Sequence, residues 1–164
     1  MGCCGDGAGA KRVCADAKRY VEKQLEGPPK KAVVACEGAC IKGEVARTAA
    51  NLLAYRLERE RAVRICLGDA ATADSGMLAL VQRAPEVIVV EGCPLACGTA
   101  ILRTRAPELA PSIIDASKLY DYDRARCFEI LDMPPREELD AHATKVAEHV
   151  RVQHFAARAE RVRG

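Results

Sequence analysis

Cysteines are the residues of this 164-residue chain best suited to chemistry, and there are nine of them. Two pairs share one spacing, since three residues separate Cys36 from Cys40 and Cys93 from Cys97. Cys66 lies between the pairs. Thiolates can bind a soft metal ion, or one thiolate can attack a substrate and a second can close a disulfide. Cysteines also pack as small apolar side chains, so the elements around them must decide between these roles.

Short apolar runs alternate with runs that have helical spacing along the chain. Strands are predicted at 31–36, 62–68, 86–92 and 111–117, and helices at 10–26, at 42–60, after Asp74, at 93–104 and from Pro135 onward. The third strand is almost wholly apolar, as is typical of a central parallel strand covered on both faces. We therefore predict a three-layer α/β fold of Rossmann or flavodoxin type. It has a mostly parallel sheet of about four strands, helices on both faces, and N-terminal and C-terminal helices.

The predicted strands place several cysteines near their carboxyl ends. Cys36, Cys66 and Cys93 end or follow the first three strands. In an open parallel sheet, sites form outside the carboxyl ends of the strands, so these sulfurs should gather along one edge. Cys97 should join them from the next helix, and Cys40 could do the same after the first strand.

Pro94 suggests a particular setting for the second pair. Proline fits the first position of a helix, which would make Cys93 the N-cap residue beside free N–H groups. This setting, and the comparable turn at Cys36, should lower the pKa of a thiol. Cys93 and Cys97 would then lie one helical turn apart, with about 5–6 Å between their Cβ atoms. Four thiolates around Zn²⁺ form a closed tetrahedral site, whereas three leave one position open.

Three stretches resemble the DGC-domain family of zinc-binding proteins: "VVACEGACIKGEVARTAANLLAYRL", "RICLGDA" and "VIVVEGCPLACGTAIL". That family is named for an Asp-Gly-Cys motif, usually followed by proline and a second cysteine. Here Glu91-Gly92-Cys93 stands in its place, and Pro94 and Cys97 are retained. The resemblance covers roughly residues 32–105. It implies zinc as the metal and a ligand set of Cys36, Cys66, Cys93 and Cys97.

The chain departs from the family pattern at two positions. Glu91 is one methylene longer than aspartate, and Cys40 stands where no family cysteine is expected, so it is either an extra ligand or incidental. Cys3 and Cys4 could add further thiolates to the site, or belong to an irregular terminus. Glu37, Asp69, Asp74 and Glu91 lie near the strand ends, where they could act as acids or bases, support the ligands, or simply cap helices.

Three parts of the chain follow from these features. Residues 1–30 are predicted to form a cysteine- and glycine-rich extension with a helix. Residues 31–117 should form the DGC-like metal-binding α/β domain. Residues 118–164 should form a loop and a helix that pack on that domain.

Composition excludes several other classes of partner. The formal net charge is only +2, and basic and acidic residues are interleaved, which argues against nucleic acid. No apolar run reaches the roughly 18 residues that span a bilayer, so we do not expect a membrane as a partner. No secretory signal is evident, which predicts a cytoplasmic protein. Cysteines there serve as ligands or redox groups more often than as disulfides.

The leading hypothesis is therefore a metal-binding protein, most simply for zinc, that acts in metal binding, trafficking or sensing. The metal ion is its expected partner, and no protein partner or reaction follows from the sequence. The alternative is a thiol-based redox enzyme, or one that handles metalloids or organometals. Cys93 would then be the attacking thiolate and Cys97 the resolving one. A third hypothesis is an iron–sulfur cluster, since all-thiolate sites also suit iron.

Overall fold

A parallel four-stranded sheet forms the centre of the fold in the computed structural model, which describes residues 13–123 and 135–156. The strands are β1 (Lys31–Ala35), β2 (Ala62–Arg64), β3 (Val87–Glu91) and β4 (Ser112–Asp115). The helices are α1 (Ala15–Leu25), α2 (Ile41–Leu52), α3 (Leu67–Thr72), α4 (Met77–Arg83), α5 (Cys97–Arg103) and α6 (Arg136–Phe155). A π-helical turn, Leu53–Leu57, extends α2, and a 3₁₀ turn, Ala116–Lys118, follows β4. None of the helices in these residues is both long and apolar enough to cross a membrane.

The strand order is β2-β1-β3-β4, and all three pairings are parallel. The chain therefore passes from β1 to β2 at one edge of the sheet. It then crosses back past β1 to β3, and continues to β4 at the opposite edge. This reversal makes the carboxyl ends of β1 and β3 a topological switch point, where open α/β sheets form their crevice. The two strands at the switch point pair over four residues, with Ala32–Ala35 facing Val87–Val90 in register.

Each face of the sheet carries its own apolar core, which confirms the three-layer fold. Alternate side chains of a strand point to opposite faces, so Val33 and Ala35 pack on one side and Val34 packs on the other. The first face is covered by α2 and α6, and the second by α1, α3, α4 and α5. The strand cores consist largely of fully buried valine and isoleucine, which suit a pleated surface covered on both sides.

Two local boundaries on the β2 to α4 segment differ from the prediction. The predicted strand 62–68 ends at Arg64, and a helix begins at Leu67, because a short apolar run does not by itself distinguish a strand from a buried helix. The predicted cap of the following helix is also wrong. Gly76 is the N-cap of α4, in a left-handed conformation, and Asp74 instead pairs with Arg105 at 3.3 Å.

A charged cluster ties α6 to the amino edge of the sheet. The Glu86 carboxylate, just before β3, accepts hydrogen bonds from Lys31 Nζ at 2.7 Å and Ser112 Oγ at 2.9 Å. His154 Nδ1 lies 2.7 Å from the same carboxylate. Lys31 Nζ also lies 5.1 Å from the centre of the Phe155 ring. The last turn of α6 is thereby fixed to β1, β3 and β4 at once.

We predict that Glu86 stabilises the fold in a pH-dependent way. Burial alone would raise the pKa of Glu86, but the hydrogen bonds from Lys31, Ser112 and His154 outweigh it and hold the pKa below its ordinary value of 4.5. A carboxyl whose pKa is lowered by folding contributes stability above its unfolded-state pKa, and this is lost as pH falls through the folded-state pKa. Glu86→Gln should therefore cost about 1–3 kcal/mol of unfolding free energy at pH 7.

Urea titrations between pH 7 and pH 3 would measure this effect. The difference between wild type and Glu86→Gln should shrink as the pH falls below 4.5. Glu148→Gln is the matched control, since Glu148 is an exposed partner of Arg151 in the same helix and should change stability by less than about 1 kcal/mol. A pH-independent deficit in Glu86→Gln would contradict the prediction.

Candidate metal centre

Cys36 lies at the switch point, directly beyond the end of β1. Its N–H donates to the carbonyl of Val90 at 2.9 Å, so the pairing of β1 with β3 continues through this residue. The side chain is buried, with 8% of its surface exposed. The position follows from sequence, because a run of small and β-branched residues carries the strand to Ala35 and "EGAC" then turns the chain into α2. Cys36 is therefore the most central of the predicted ligands.

Cys40 shares a small loop with Cys36. The N–H of Gly38 donates to Cys36 Sγ at 3.4 Å. A Cβ atom placed on Gly38 would lie 3.4 Å from Cys36 Sγ and 3.9 Å from Cys40 Sγ, so both sulfurs flank the same glycine. Cys40 is also the N-cap residue of α2, a helix of 12 residues. Cys40, which the family pattern does not require, thus lies beside Cys36.

Two glycines let the Cys36–Cys40 loop and the backbone before Cys93 each pack closely on the first turn of α2. A Cβ atom on Gly43, in the first turn of α2, would lie 2.7 Å from the carbonyl carbon of Gly38. A Cβ atom on Gly92 would lie 2.8 Å from the carbonyl of Lys42. No real side chain fits at such distances, so both positions require glycine. The backbone before Cys93 consequently packs directly on the first turn of α2.

The pKa of Cys36 contradicts the prediction that its turn lowers it. Burial raises the pKa of the Cys36 thiol, and the N–H groups of Gly38 and Gly92 oppose this rise only in part. The nearby acidic groups of Glu91 and Cys40 raise it further. The pattern of strand and turn in the sequence gave the position of Cys36 but not the depth of its burial.

The predicted helical setting of Cys93 is wrong. The Ala96 N–H donates to the Cys93 carbonyl at 3.2 Å, and α5 begins four residues later than Cys93, at Cys97. Ala96 is the N-cap and has a left-handed backbone with φ of 50°. Proline also favours the second position of a β-turn, and Pro94 takes that role here rather than the first position of a helix. Cys93 is half-buried in the turn, whereas Cys97 is exposed.

Cys66 lies on the other side of β1 from β3. It is the N-cap residue of α3 and is exposed. It borders a cavity of about 380 Å³ that also contacts Glu37 and Arg64. Arg64 Nη2 donates to Glu37 Oε1 at 2.8 Å, and Arg64 Nε donates to Asn51 Oδ1 at 2.9 Å. This ion pair joins Glu37, in the Cys36–Cys40 loop, to the end of β2, two residues before Cys66.

Asp69, close to Cys66 in sequence, is a buried carboxylate. Asp69 lies in the first turn of α3 with 8% of its surface exposed, and its Oδ1 atom has no hydrogen-bond partner among the described residues. The sequence placed Asp69 near a strand end but gave no sign that it would be buried. Its spacing of three residues from the N-cap is the local signal, since first-turn side chains of a helix often fold back onto the helix start.

The six cysteines among residues 13–123 and 135–156 are all free thiols: Cys14, Cys36, Cys40, Cys66, Cys93 and Cys97. Cys3 and Cys4 lie outside the described residues, so their predicted role as extra ligands is not addressed. Sulfur donors of this kind fit zinc chemically. Within the described residues, no three Cys, His, Asp or Glu side chains already converge in an arrangement that could hold a metal ion. The structure brings Cys36 and Cys40 together beside the Cys93 loop, with Cys97 and Cys66 farther out.

These features define a three-layer α/β protein with two cysteine-bearing loops at the switch point of a parallel sheet. A family model of the DGC domain matches residues 32–122, which is more than half of the chain. The chain belongs to the DGC domain family, and the resemblance seen in its sequence is confirmed. The searches of curated proteins and of solved structures gave no match.

Proposed function

We propose that this protein binds zinc through cysteine thiolates at the carboxyl edge of its sheet and acts in metal binding, trafficking or sensing. The observation that carries the proposal is the position of Gly92, next to Cys93: its backbone packs on the first turn of α2, and its N–H donates to the Cys36 thiol. Two cysteine loops that are more than fifty residues apart in sequence meet there at the switch point.

Four residues are the proposed ligands: Cys36, Cys66, Cys93 and Cys97. Bound zinc would be held as a d¹⁰ ion by thiolates in tetrahedral geometry. Cys36 would supply a sulfur shielded from water at the end of β1, and Cys93 a half-buried one from the turn that follows β3. Cys40 adds a further thiol next to Cys36. Loading must draw Cys66 and Cys97 inward, since no three of these side chains already converge in the described residues.

The exposure of the outer ligands supports exchange of the metal with other molecules. Cys66 and Cys97 are exposed, and Leu95, at the tip of the loop between Cys93 and Cys97, has 79% of its surface exposed. A permanently structural zinc is usually enclosed by its four ligands. A site with two exposed ligands can pass its metal to another thiol more readily. Free thiols persist in reducing compartments, so we place this activity in the cytoplasm.

Zinc content tests the proposal directly. Wild-type protein purified without oxygen should contain about one zinc per chain by mass spectrometry, and Cys93→Ser should contain far less. Cys14→Ser is the matched control, because Cys14 is a single cysteine at the start of α1 and should not alter the zinc content. A metal-free wild-type protein with every thiol free to react would rule the proposal out.

The same preparation distinguishes the two alternative chemistries. A reversible Cys93–Cys97 disulfide, with one thiol trapped rapidly by iodoacetamide, would support a thiol-based enzyme instead. A brown colour with visible absorbance would indicate an iron–sulfur cluster. Zinc that protects the cysteines from alkylation counts against both.

A further inference from the structure

Glu91 is the most deeply buried acidic residue at the carboxyl edge among the described residues. It ends β3, and 1% of its surface is exposed. Burying a carboxylate is costly unless it is hydrogen-bonded. Here three donors satisfy it: the Thr99 N–H at 2.6 Å, the Thr99 hydroxyl at 2.7 Å and the Gly98 N–H at 3.2 Å.

These donors belong to the first turn of α5, whose N–H groups have no partner within the helix. Glu91 therefore joins the end of β3 to the start of α5 across the segment 92–97. That segment is the loop that carries both Cys93 and Cys97. A Cβ atom on Gly98 would lie 3.2 Å from Glu91 Oε1, so the carboxylate also presses closely on the backbone beside Cys97.

The loop is held at its other end as well. Gly92 packs on the carbonyl of Lys42, and Ala96 accepts a left-handed conformation that is unfavourable for alanine. Backbone strain of this kind persists only where the surroundings impose it. The hydrogen bonds of Glu91 to the residues that follow Ala96 are the interactions best placed to impose it.

We propose that Glu91 is a positioning residue that fixes the conformation of the Cys93–Cys97 loop for metal binding. The inference rests on the proposed function, since it explains how the loop presents its thiols. Glu91 acts through the backbone of Gly98 and Thr99 and not as a ligand, because its carboxylate oxygens are already engaged. Residues that hold metal ligands in place typically contribute 10–100-fold to metal affinity.

Two variants weaken this contact in different ways. Glu91→Gln replaces an acceptor with an amide that can point N–H groups at the Gly98 N–H. Thr99→Val removes a single hydroxyl and keeps the shape of the side chain. Thr99→Ser retains the hydroxyl and serves as the conservative variant. Glu86→Gln is the matched control, since Glu86 is also a hydrogen-bonded carboxylate but lies just before β3, at the opposite end of the strand.

The first measurement needs no metal. Amide hydrogen exchange of metal-free protein should show the Gly98 and Thr99 N–H groups protected in wild type. Protection should fall about tenfold or more in Glu91→Gln and fall less in Thr99→Val, and it should be retained in Thr99→Ser. In Glu86→Gln, protection of Gly98 and Thr99 should fall by no more than the loss of global stability, which other core amides share. Iodoacetamide should modify Cys97 faster in Glu91→Gln than in wild type.

The second measurement uses cobalt(II) added without oxygen as a coloured substitute for zinc. Glu91→Gln should bind cobalt about 10–100-fold more weakly than wild type, and Thr99→Val should fall between them. Thr99→Ser and Glu86→Gln should bind as wild type does.

The outcomes separate this inference from the proposed function. A wild-type protein that takes up neither zinc nor cobalt contradicts the proposed function. A wild-type protein that binds cobalt no better than Glu91→Gln and Thr99→Val do contradicts the role of Glu91 alone. If Glu91→Gln fails to fold, the comparison of Thr99→Val with Thr99→Ser still decides the matter. Equal amide protection in those two variants would overturn the inference.

Discussion

Zinc should raise the thermal unfolding midpoint of the wild-type protein by about 8–16 °C when free zinc is a thousand times its Kd. A ligand that binds the folded state stabilises it by about 4 kcal/mol at that excess, and each kcal/mol shifts the midpoint of a domain of this size by about 2–4 °C. In the proposed site this stabilisation requires Cys36, the cysteine that joins β1 to the loops at the switch point.

Cys36→Ser should therefore lose most of the shift. Its midpoint without zinc can differ from that of wild type, so the comparison is the change on adding zinc within each variant. Cys14→Ser should retain the full shift, because that residue lies at the start of α1, away from the loops at the switch point. The prediction fails if zinc stabilises Cys36→Ser as much as it stabilises wild type. Differential scanning calorimetry over a series of zinc concentrations makes the comparison.

Gly43→Ala should destabilise the protein by about 1–3 kcal/mol, although alanine is the better helix former. An isolated helix would gain about 0.8–1 kcal/mol from the substitution. At this position, however, the new methyl group would lie 2.7 Å from the carbonyl carbon of Gly38, and backbone cannot move aside as easily as a flexible side chain. The Cys36–Cys40 loop would have to move away from the first turn of α2, so zinc binding should weaken in the same variant.

Gly68→Ala provides a matched control for that substitution. Gly68 is also helical, in α3, but a Cβ atom there would meet nothing within 4 Å. The protein should therefore gain up to about 1 kcal/mol, the intrinsic preference of a helix for alanine. Urea unfolding of the two variants beside wild type gives both values. If Gly43→Ala proved as stable as Gly68→Ala, the close packing at the switch point would be disproved.

The fold was predictable because its signals are local and repeated. Apolar runs such as "EVIVV" and helical spacing between them lead directly to a parallel sheet with helices on both faces. The short helix after β2 was missed because it lacks such a repeated signal. Leu67 to Thr72 contains too few residues for periodicity to distinguish helix from strand. The predicted N-cap at Cys93 was wrong because proline suits both the first position of a helix and the second position of a β-turn, and Pro94 takes the second of these roles.

The candidate site was predictable only in part, because the rest depends on contacts distant in sequence. Topology alone places Cys36 and Cys93 at adjacent strand ends. The proximity of Cys40 to Cys36 follows from Gly38 and Gly43, whose need for close packing appears only when α2 docks. The role of Glu91 depends on Thr99, eight residues later, and no periodic pattern marks that pair. Burial of Cys36, which raises its pKa, also depends on neighbours from other elements.

The charged cluster around Glu86 and the loops around Glu91 lie at opposite ends of the same strand, β3. A strand of five residues separates them by roughly 16 Å, which is too far for direct contact between the two groups. Inherited changes at one end should therefore have little effect at the other. Substitutions in the α6 contact should therefore change the lifetime of the folded protein separately from the zinc binding proposed at the other end of the strand.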